Sequence, residues 1–121
     1  MSAKKSNTSK KLVEAIIGSI QEKKGENITK IDLRKLHNAD TDYFIICEGN
    51  SDTQVGAIAD EVERGVRKKI KEKPWHIEGK ENLEWVLIDY FNVVVHIFKK
   101  QTRAFYGLED LWADGIIENI E

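Results

Sequence analysis

The sequence predicts a single-domain α/β sandwich in which helices pack on a mixed sheet. Three observations lead to this fold class. The chain has 121 residues, of which 40% are hydrophobic, and this fits one compact domain. Apolar residues at helical spacing alternate along the chain with short runs of β-branched and aromatic residues. Gly, Pro and polar turns separate these segments. The predicted element order is α-β-β-α-β-β-β-α.

The first half of the chain predicts one helix and two strands. Apolar residues repeat every three or four positions from Leu12 to Ile20 and line one helix face, and Gly25 can end the helix. Residues 28–33 alternate as a half-exposed strand. Residues 43–47 are apolar without alternation, which is typical of a strand that is covered on both faces. This run is the predicted centre of the sheet.

A long amphipathic helix follows. Ser51 and Gln54 form a capping-box pattern. Pro74 requires that the helix end before it. The positions predicted to face the core are Val55, Ile58, Ala59, Val62 and Val66.

The remaining segments predict a hairpin and a last helix. Residues 75–77 can form a short strand, and residues 83–90 and 93–98 flank Phe91-Asn92, the length of a tight two-residue turn. Residues 99–112 show weak helical spacing, interrupted by Gly107.

Charge is unevenly distributed between the two ends. The first ten residues contain lysines and no acid, and residues 114–121 contain acids and no base. Short polar ends usually remain mobile. The expected organisation is a flexible basic N-terminus over residues 1–10, a folded domain over 11–113 and an acidic tail over 114–121.

Composition excludes several functional classes. The chain has 19 basic and 21 acidic residues, so it lacks the overall basic excess of a nucleic-acid binder. No apolar run approaches the ~20 residues of a membrane span. We therefore expect no membrane partner. The single cysteine, Cys47, favours a reducing compartment and predicts a cytoplasmic protein. A minor rRNA contact is expected only at the basic end of the long helix, residues 64–73.

Catalytic signals are weak. Gly49-Asn50-Ser51 leads into a helix N-terminus, where free N–H groups can bind phosphate. The carboxylate pair that would hold a divalent metal does not follow it, so helix capping is favoured and a nucleotidyltransferase-like enzyme is the alternative. The three histidines lack metal-ligand spacing, and His96 is predicted to be a structural, hydrogen-bonded histidine. We expect no catalytic residue, metal or cofactor.

Large side chains with polar tips concentrate near the predicted hairpin. Trp, Tyr and Arg dominate protein interfaces because each buries a large area and keeps a specific donor. An ordinary aromatic core is one alternative, and a self-complementary patch of a homodimer is another. The pattern favours a protein-binding module, and the residues concerned are Trp85, Asp89, Tyr90, Phe91, Asn92, Arg103, Phe105 and Tyr106.

An ordered set of short motifs resembles the ribosomal silencing factor (Iojap) family. The match runs from about Leu12 to Trp112 at near-fixed spacings. The motifs are residues 41–46, Gly49-Asn50-Ser51, Gln54-Val55, Glu78-Gly79, residues 85–90, residues 93–98, Arg103, Phe105-Tyr106 and Leu111-Trp112.

The resemblance implies a small α/β domain, distantly similar in fold to nucleotidyltransferases and without catalysis. Members of the family bind ribosomal protein L-fourteen on the large subunit, keep the ribosomal subunits apart and lower translation when nutrients are short. Steric occlusion on a standard-size interface is therefore the expected mechanism. The expected apolar anchors are Trp85, Tyr90 and Phe91; the expected acidic partners are Glu78 and Asp89; Asn92, Arg103 and Tyr106 complete the predicted site.

One departure from the family pattern lies at the hairpin tip. Where the family usually has Gly-Asp, this chain has Phe91-Asn92. A ring replaces the glycine, and the turn either changes type or strains Phe91 through a positive φ.

Overall fold

The chain forms one six-stranded sheet with helices on both faces. A computed structural model describes residues 2–120, with side chains from Ser9 onward. The α/β class and the mixed sheet are confirmed. The elements are α1 (Ser2–Glu22), β1 (Glu26–Asp32), β2 (Tyr43–Gly49), α2 (Asp52–Ile70), β3 (His76–Glu78), β4 (Trp85–Asp89), β5 (Val93–Lys99), α3 (Lys100–Tyr106), α4 (Leu108–Leu111) and β6 (Ile116–Ile120).

The strand order is β3-β4-β5-β2-β1-β6. Strands β2 and β5 run parallel, and every other neighbouring pair is antiparallel. The predicted central strand is confirmed, because β2 lies between β5 and β1 and is covered on both faces. Ile45 and Cys47 point into one core, and Phe44 and Ile46 point into the other.

Helices α1 and α2 cover one face of the sheet. The apolar stripe of α2 is buried at every predicted position. Ser51 caps the helix as predicted, since its Oγ accepts from the Gln54 N–H at 3.2 Å; the reciprocal bond is displaced by one residue, because Gln54 Oε1 accepts from the N–H of Asn50 at 2.7 Å. The helix ends at Ile70, before Pro74 as predicted. The next residue, Lys71, adopts a left-handed conformation, and its N–H donates to the Arg67 carbonyl.

The opposite face is covered only in part. Helices α3 and α4 are short, because Gly107 adopts φ +57° and divides the predicted last helix into two. Together with the segment 33–42, they cover β1, β2 and part of β5. Phe98 and Leu108 are buried there, whereas Trp85 and Leu87 on β4 are only half-buried. The uncovered part of this face belongs to β3 and β4.

The ends of the chain differ from the predicted basic and acidic tails. The backbone of residues 2–10 continues α1, and the buried Ser9 Oγ accepts from Asn92 Nδ2 at 2.5 Å. The side chains of Lys4 and Lys5 lie outside the described residues. The boundary at residue 10 therefore does not separate a tail from the domain.

Within residues 114–121, the structure forms an edge strand. Strand β6 pairs with β1. Its side chains are fixed by a Glu118–Lys30 ion pair at 3.2 Å and by a hydrogen bond from Thr29 Oγ1 to Asn119 at 3.1 Å. The composition of this segment did not indicate a strand because several of its residues are acidic, but an edge strand accepts acidic residues on its solvated side. Within the described residues no helix has the length and apolar character needed to cross a bilayer.

Candidate protein-binding face

A half-buried tryptophan and a buried histidine form a hydrogen-bonded pair beneath the uncovered face. Trp85 on β4 donates its indole Nε1–H to Nδ1 of His96 on β5 at 3.1 Å, and its ring stacks on Phe98 at 4.8 Å. His96 is 3% exposed, and this burial lowers its pKa to about 3 because the charged form loses its hydration. The imidazole is therefore neutral. The prediction of a hydrogen-bonded structural histidine is confirmed.

One end of the face is formed by α3. The ring of Tyr106 lies 4.8 Å from that of Trp85, and Phe105 contacts Tyr106 edge to face at 5.1 Å. Phe105 is 81% exposed and Tyr106 is 53% exposed. Trp85 and Tyr106, which the sequence predicts as site residues, therefore lie side by side at the surface.

The other end of the face is the hairpin tip. Trp75 and Phe91 have ring centroids 5.1 Å apart, and about two thirds of each side chain is exposed. Phe91 adopts φ +79°. The Asn92 N–H donates to the Tyr90 carbonyl at 3.0 Å, and Asp89 Oδ1 accepts from the Phe91 N–H at 2.7 Å. This geometry resembles a γ-turn, a strained conformation for a non-glycine residue. It holds a phenyl ring in solvent.

The exposed rings share one side of the sheet. Strand alternation places Trp85, Leu87 and Asp89 on the side opposite α1 and α2. We call this surface the aromatic face. It consists of Trp75, Trp85, Leu87, Phe91, Phe105 and Tyr106.

A pocket of about 590 Å³ opens on the aromatic face below the hairpin tip. We call it the tip pocket. Its walls are largely apolar, and its polar residues include Asp40, Thr41, Asp89 and His96. The described lining residues contain acids but no lysine or arginine.

The predicted acidic residues lie along this region. Glu78 is exposed on β3 opposite Leu87, and its carboxylate lies 2.6 Å from His76 Nε2. Asp89 lies at the end of β4, where it also caps the hairpin tip. The aromatic face is thus bordered by carboxylates.

Tyr90 is buried, and the half-buried Asn92 is bonded to the rest of the domain. Tyr90 is 5% exposed and packs in the core with α1 and α2, on the opposite side of the sheet from Trp85. Burial raises the pKa of its hydroxyl. Asn92 Nδ2 donates to Ser9, and the Asn92 carbonyl accepts from the Asp42 and Tyr43 N–H groups. The predicted role of Tyr90 as an apolar anchor is therefore corrected to a core role, whereas Asn92 holds the hairpin to the domain and its place in the interface stays a prediction.

Arg103 is also structural, contrary to the prediction. It is 8% exposed, and its guanidinium donates to Glu48 at 3.1 Å and to Glu109 at 2.7 Å. Further bonds reach the Asn27 carbonyl at 2.6 Å and Thr29 Oγ1 at 3.0 Å. Arg103 therefore ties α3 to the sheet and leaves the aromatic face to its neighbours Phe105 and Tyr106.

The weak catalytic candidates have structural roles. The Asn50 and Gln54 N–H groups at the start of α2 bind to side chains of the capping box. Burial raises the pKa of the Cys47 thiol to about 12, so the nucleophilic thiolate does not form near neutrality. No cluster of three or more His, Cys, Asp or Glu residues suited to a metal ion occurs in the described part of the chain.

Sequence reasoning missed Trp75 as a member of the site. Trp75 lies just before β3 and is distant in sequence from the hairpin, but β3 pairs with β4 and brings it beside Phe91. A large aromatic residue directly after Pro74, outside any long apolar run, was the available signal.

Comparison with known proteins identifies a family. Residues 6–121 match the family model described as ribosomal silencing factor during starvation. The chain is 36% identical over 114 residues to ribosomal silencing factor RsfS of Halalkalibacterium halodurans, covering 94% of this chain and 96% of that one.

Two further relatives extend the comparison. Mouse mitochondrial assembly of ribosomal large subunit protein 1 is 34% identical over 74 residues, covering 60% of this chain and 32% of that protein. A crystal structure of a Bacillus halodurans protein superimposes with a TM-score of 0.77 at 35% identity, covering 93% of this chain and 98% of the other.

Proposed function

The chain belongs to the ribosomal silencing factor family, and we propose that it silences ribosomes by binding the large subunit through its aromatic face. The proposed partner is ribosomal protein L-fourteen. Bound there in the cytoplasm, the domain occupies space that the small subunit needs, so subunit joining is blocked and translation falls when nutrients are limiting. This mechanism requires no chemistry.

The exposed pair of Trp75 and Phe91 is the observation that carries this proposal. The two rings pack on each other with most of their surface in solvent, at a turn whose positive φ disfavours phenylalanine. Contiguous exposed aromatic surface is typical of a protein interface. A partner that covers both rings recovers the free energy that their exposure costs.

The charge around the rings favours a basic protein over nucleic acid. Glu78, Asp89 and Asp40 border the aromatic face. Ribosomal proteins are generally basic, so these carboxylates attract such a partner and repel the phosphates of rRNA. A minor rRNA contact is assigned to the basic end of α2, which carries Arg67, Lys68 and Lys69 in its last turn.

Co-sedimentation with isolated large subunits, small subunits and joined ribosomes tests the proposal. We expect binding to the large subunit at near-physiological salt. Trp75→Ala and Phe91→Ala should each weaken it by more than about tenfold if they are hot spots. Ile116→Ala is the matched control, because Ile116 is 57% exposed on the far edge strand β6. Equal binding by all four proteins would contradict the proposed face.

A homodimer of the free protein is a second candidate assembly. The outer edge of β6 bears the exposed side chains of Ile116 and Ile117, and an unpaired strand edge can pair with another copy. Light scattering of the free protein, with Ile117→Lys as the disrupting variant, distinguishes a dimer from a monomer.

A further inference from the structure

Two buried polar atoms beside the tip pocket have no hydrogen-bond partner within the described part of the chain. They are Nε2 of His96 and Oγ1 of Thr41. Folded proteins rarely leave such atoms unpaired, because an unsatisfied buried donor or acceptor costs free energy. A ligand that supplies the missing partners would remove that cost.

The role of His96 is fixed by Trp85. An indole N–H can only donate, so the 3.1 Å bond makes Nδ1 of His96 the acceptor. In a neutral imidazole the proton then lies on Nε2. Nε2 is therefore a hydrogen-bond donor, and the group it lacks is an acceptor such as a carbonyl oxygen.

The charges of the pocket select against an anionic acceptor. Asp40 and Asp89 line it, and the described lining residues include no lysine or arginine. Trp75 and Phe91 line the same opening and offer ring faces. Carboxylates and ring faces together favour a cation, and a planar guanidinium satisfies both. The volume of about 590 Å³ lies in the range of ligand-binding pockets.

We propose that the tip pocket binds an arginine-bearing peptide segment, with a carbonyl oxygen of the segment accepting from His96 Nε2 and the guanidinium lying between Asp40 and the Trp75 ring. The identity of the segment as part of the ribosomal partner rests on the proposed function; the chemistry of the pocket does not. Because His96 Nε2 is covered in the free protein, the segment displaces a covering ring.

Phe44 is the ring that packs edge to face on His96, at 4.5 Å, and Trp112 packs edge to face on Phe44 at 5.6 Å. Movement of Trp112 gives the Phe44 ring room to turn away from His96. Trp112 follows the four-residue helix α4 and is only half-buried, so its side chain can move without disturbing a strand.

The three tryptophans of the chain make a direct test possible. Trp75 and Trp112 line the pocket, and Trp85 is bonded to His96. Their indole N–H resonances are followed by NMR while the full chain is titrated with Nα-acetyl-arginine methylamide. We expect all three signals to shift with a millimolar Kd. The matched glutamate derivative should leave them unchanged. No shift with the arginine probe, or equal shifts with both probes, would overturn the proposal.

Two pairs of variants separate the charge from the donor. Asp40→Asn should weaken arginine binding by roughly threefold or more, whereas Glu81→Gln, in an exposed turn, should not. His96→Phe should weaken it by roughly threefold to tenfold. His96→Gln should retain it, because glutamine supplies both an acceptor for Trp85 and a donor toward the pocket. Unchanged binding in Asp40→Asn and His96→Phe would contradict the assignment, and the spectra themselves report whether each variant is folded.

The same variants distinguish this inference from the proposed function. If Asp40→Asn and His96→Phe bind large subunits normally while Trp75→Ala does not, the aromatic face is correct and the arginine pocket is wrong. If the arginine probe binds the pocket but no large subunit binds the chain, the pocket stands and the ribosomal partner is wrong. Weaker large-subunit binding by both pocket variants supports both.

Discussion

Trp85 and His96 are joined by a hydrogen bond between their rings, from the indole Nε1 to Nδ1, at 3.1 Å. The bond links the surface of the aromatic face to the interior of the domain, because Trp85 is half-buried and His96 is buried. It fixes the orientation of the indole ring on which Tyr106 packs. A residue of the proposed interface is thus held by a neutral histidine below it.

The first prediction concerns pH. Burial holds the pKa of His96 near 3 in the folded protein, whereas it is about 6.5 when the chain is unfolded. Between pH 6.5 and 3 the unfolded state therefore binds more protons than the folded state does. The free energy of unfolding should therefore fall as the pH drops from about 6.5 toward 3, by up to about 1.4 kcal/mol per pH unit from this group. Urea unfolding at about pH 7, 6 and 5 measures the slope.

The control for the pH prediction is His96→Phe. It removes the titrating group and keeps an aromatic ring, while the exposed His37 and His76 remain. Its unfolding free energy should depend less on pH between 6 and 5. Parallel pH profiles for the two proteins would show that His96 does not titrate as described.

A second prediction concerns the buried arginine. Arg103→Met should lower the free energy of unfolding by about 3–5 kcal/mol, because Glu48 would remain buried at 5% exposure without its cation. Arg34→Met is the matched control: Arg34 is half exposed and pairs with Asp32 at 2.8 Å, so the loss should be about 1 kcal/mol or less. Chemical denaturation measures both. Similar losses would refute a structural role for Arg103.

The hairpin tip allows stability and binding to be separated. Phe91 adopts φ +79°, which glycine accepts without strain. Phe91→Gly should therefore be more stable than Phe91→Ala by about 1 kcal/mol, although both remove the ring and should weaken large-subunit binding equally. Thermal unfolding and sedimentation measure the two effects. A less stable glycine variant would contradict the strain at this turn.

Gly79 sets the position of Trp85. It adopts φ +91°, and a Cβ there would lie 2.0 Å from the Trp85 carbonyl oxygen. Gly79→Ala should destabilise the domain by more than about 2 kcal/mol and shift the Trp85 indole resonance. Gly56→Ala in α2 is the contrasting variant, because an added Cβ meets only the Leu83 side chain at an ordinary contact distance of 3.6 Å and alanine is more favourable than glycine in a helix by about 1 kcal/mol. Equal changes in the stability of Gly79→Ala and Gly56→Ala would show that the Trp85 carbonyl does not exclude a side chain at position 79.

The periodic elements of the fold could be read from the sequence. The buried run of β2 and the apolar stripe and cap of α2 are local patterns, and each appears in the structure. Strand β6 could not be read in this way. Its residues mix isoleucine with acids, and its pairing depends on β1, some 90 residues away along the chain.

Residue types in the sequence indicated an aromatic surface, but they could not show which of the predicted residues point toward it, because side-chain direction decides that. Alternation along β4 places Trp85 and Tyr90 on opposite faces, because they are five residues apart, and this parity was available from the sequence. The burial of Arg103 was not, because Glu48 and Asn27 approach it only in the folded chain. Trp75 joins Phe91 through the β3–β4 pairing.

A subunit-joining assay measures the proposed block of ribosome assembly itself. Purified large and small subunits are mixed in the presence of the wild-type chain, the double variant Trp75→Ala/Phe91→Ala or the control Ile116→Ala, and light scattering follows the joined ribosome. We expect the wild type and the control to block joining and the double variant not to block it, while all three proteins remain folded. If the double variant blocks joining as well as the wild type does, or if the wild type does not affect joining, the aromatic face does not keep the subunits apart.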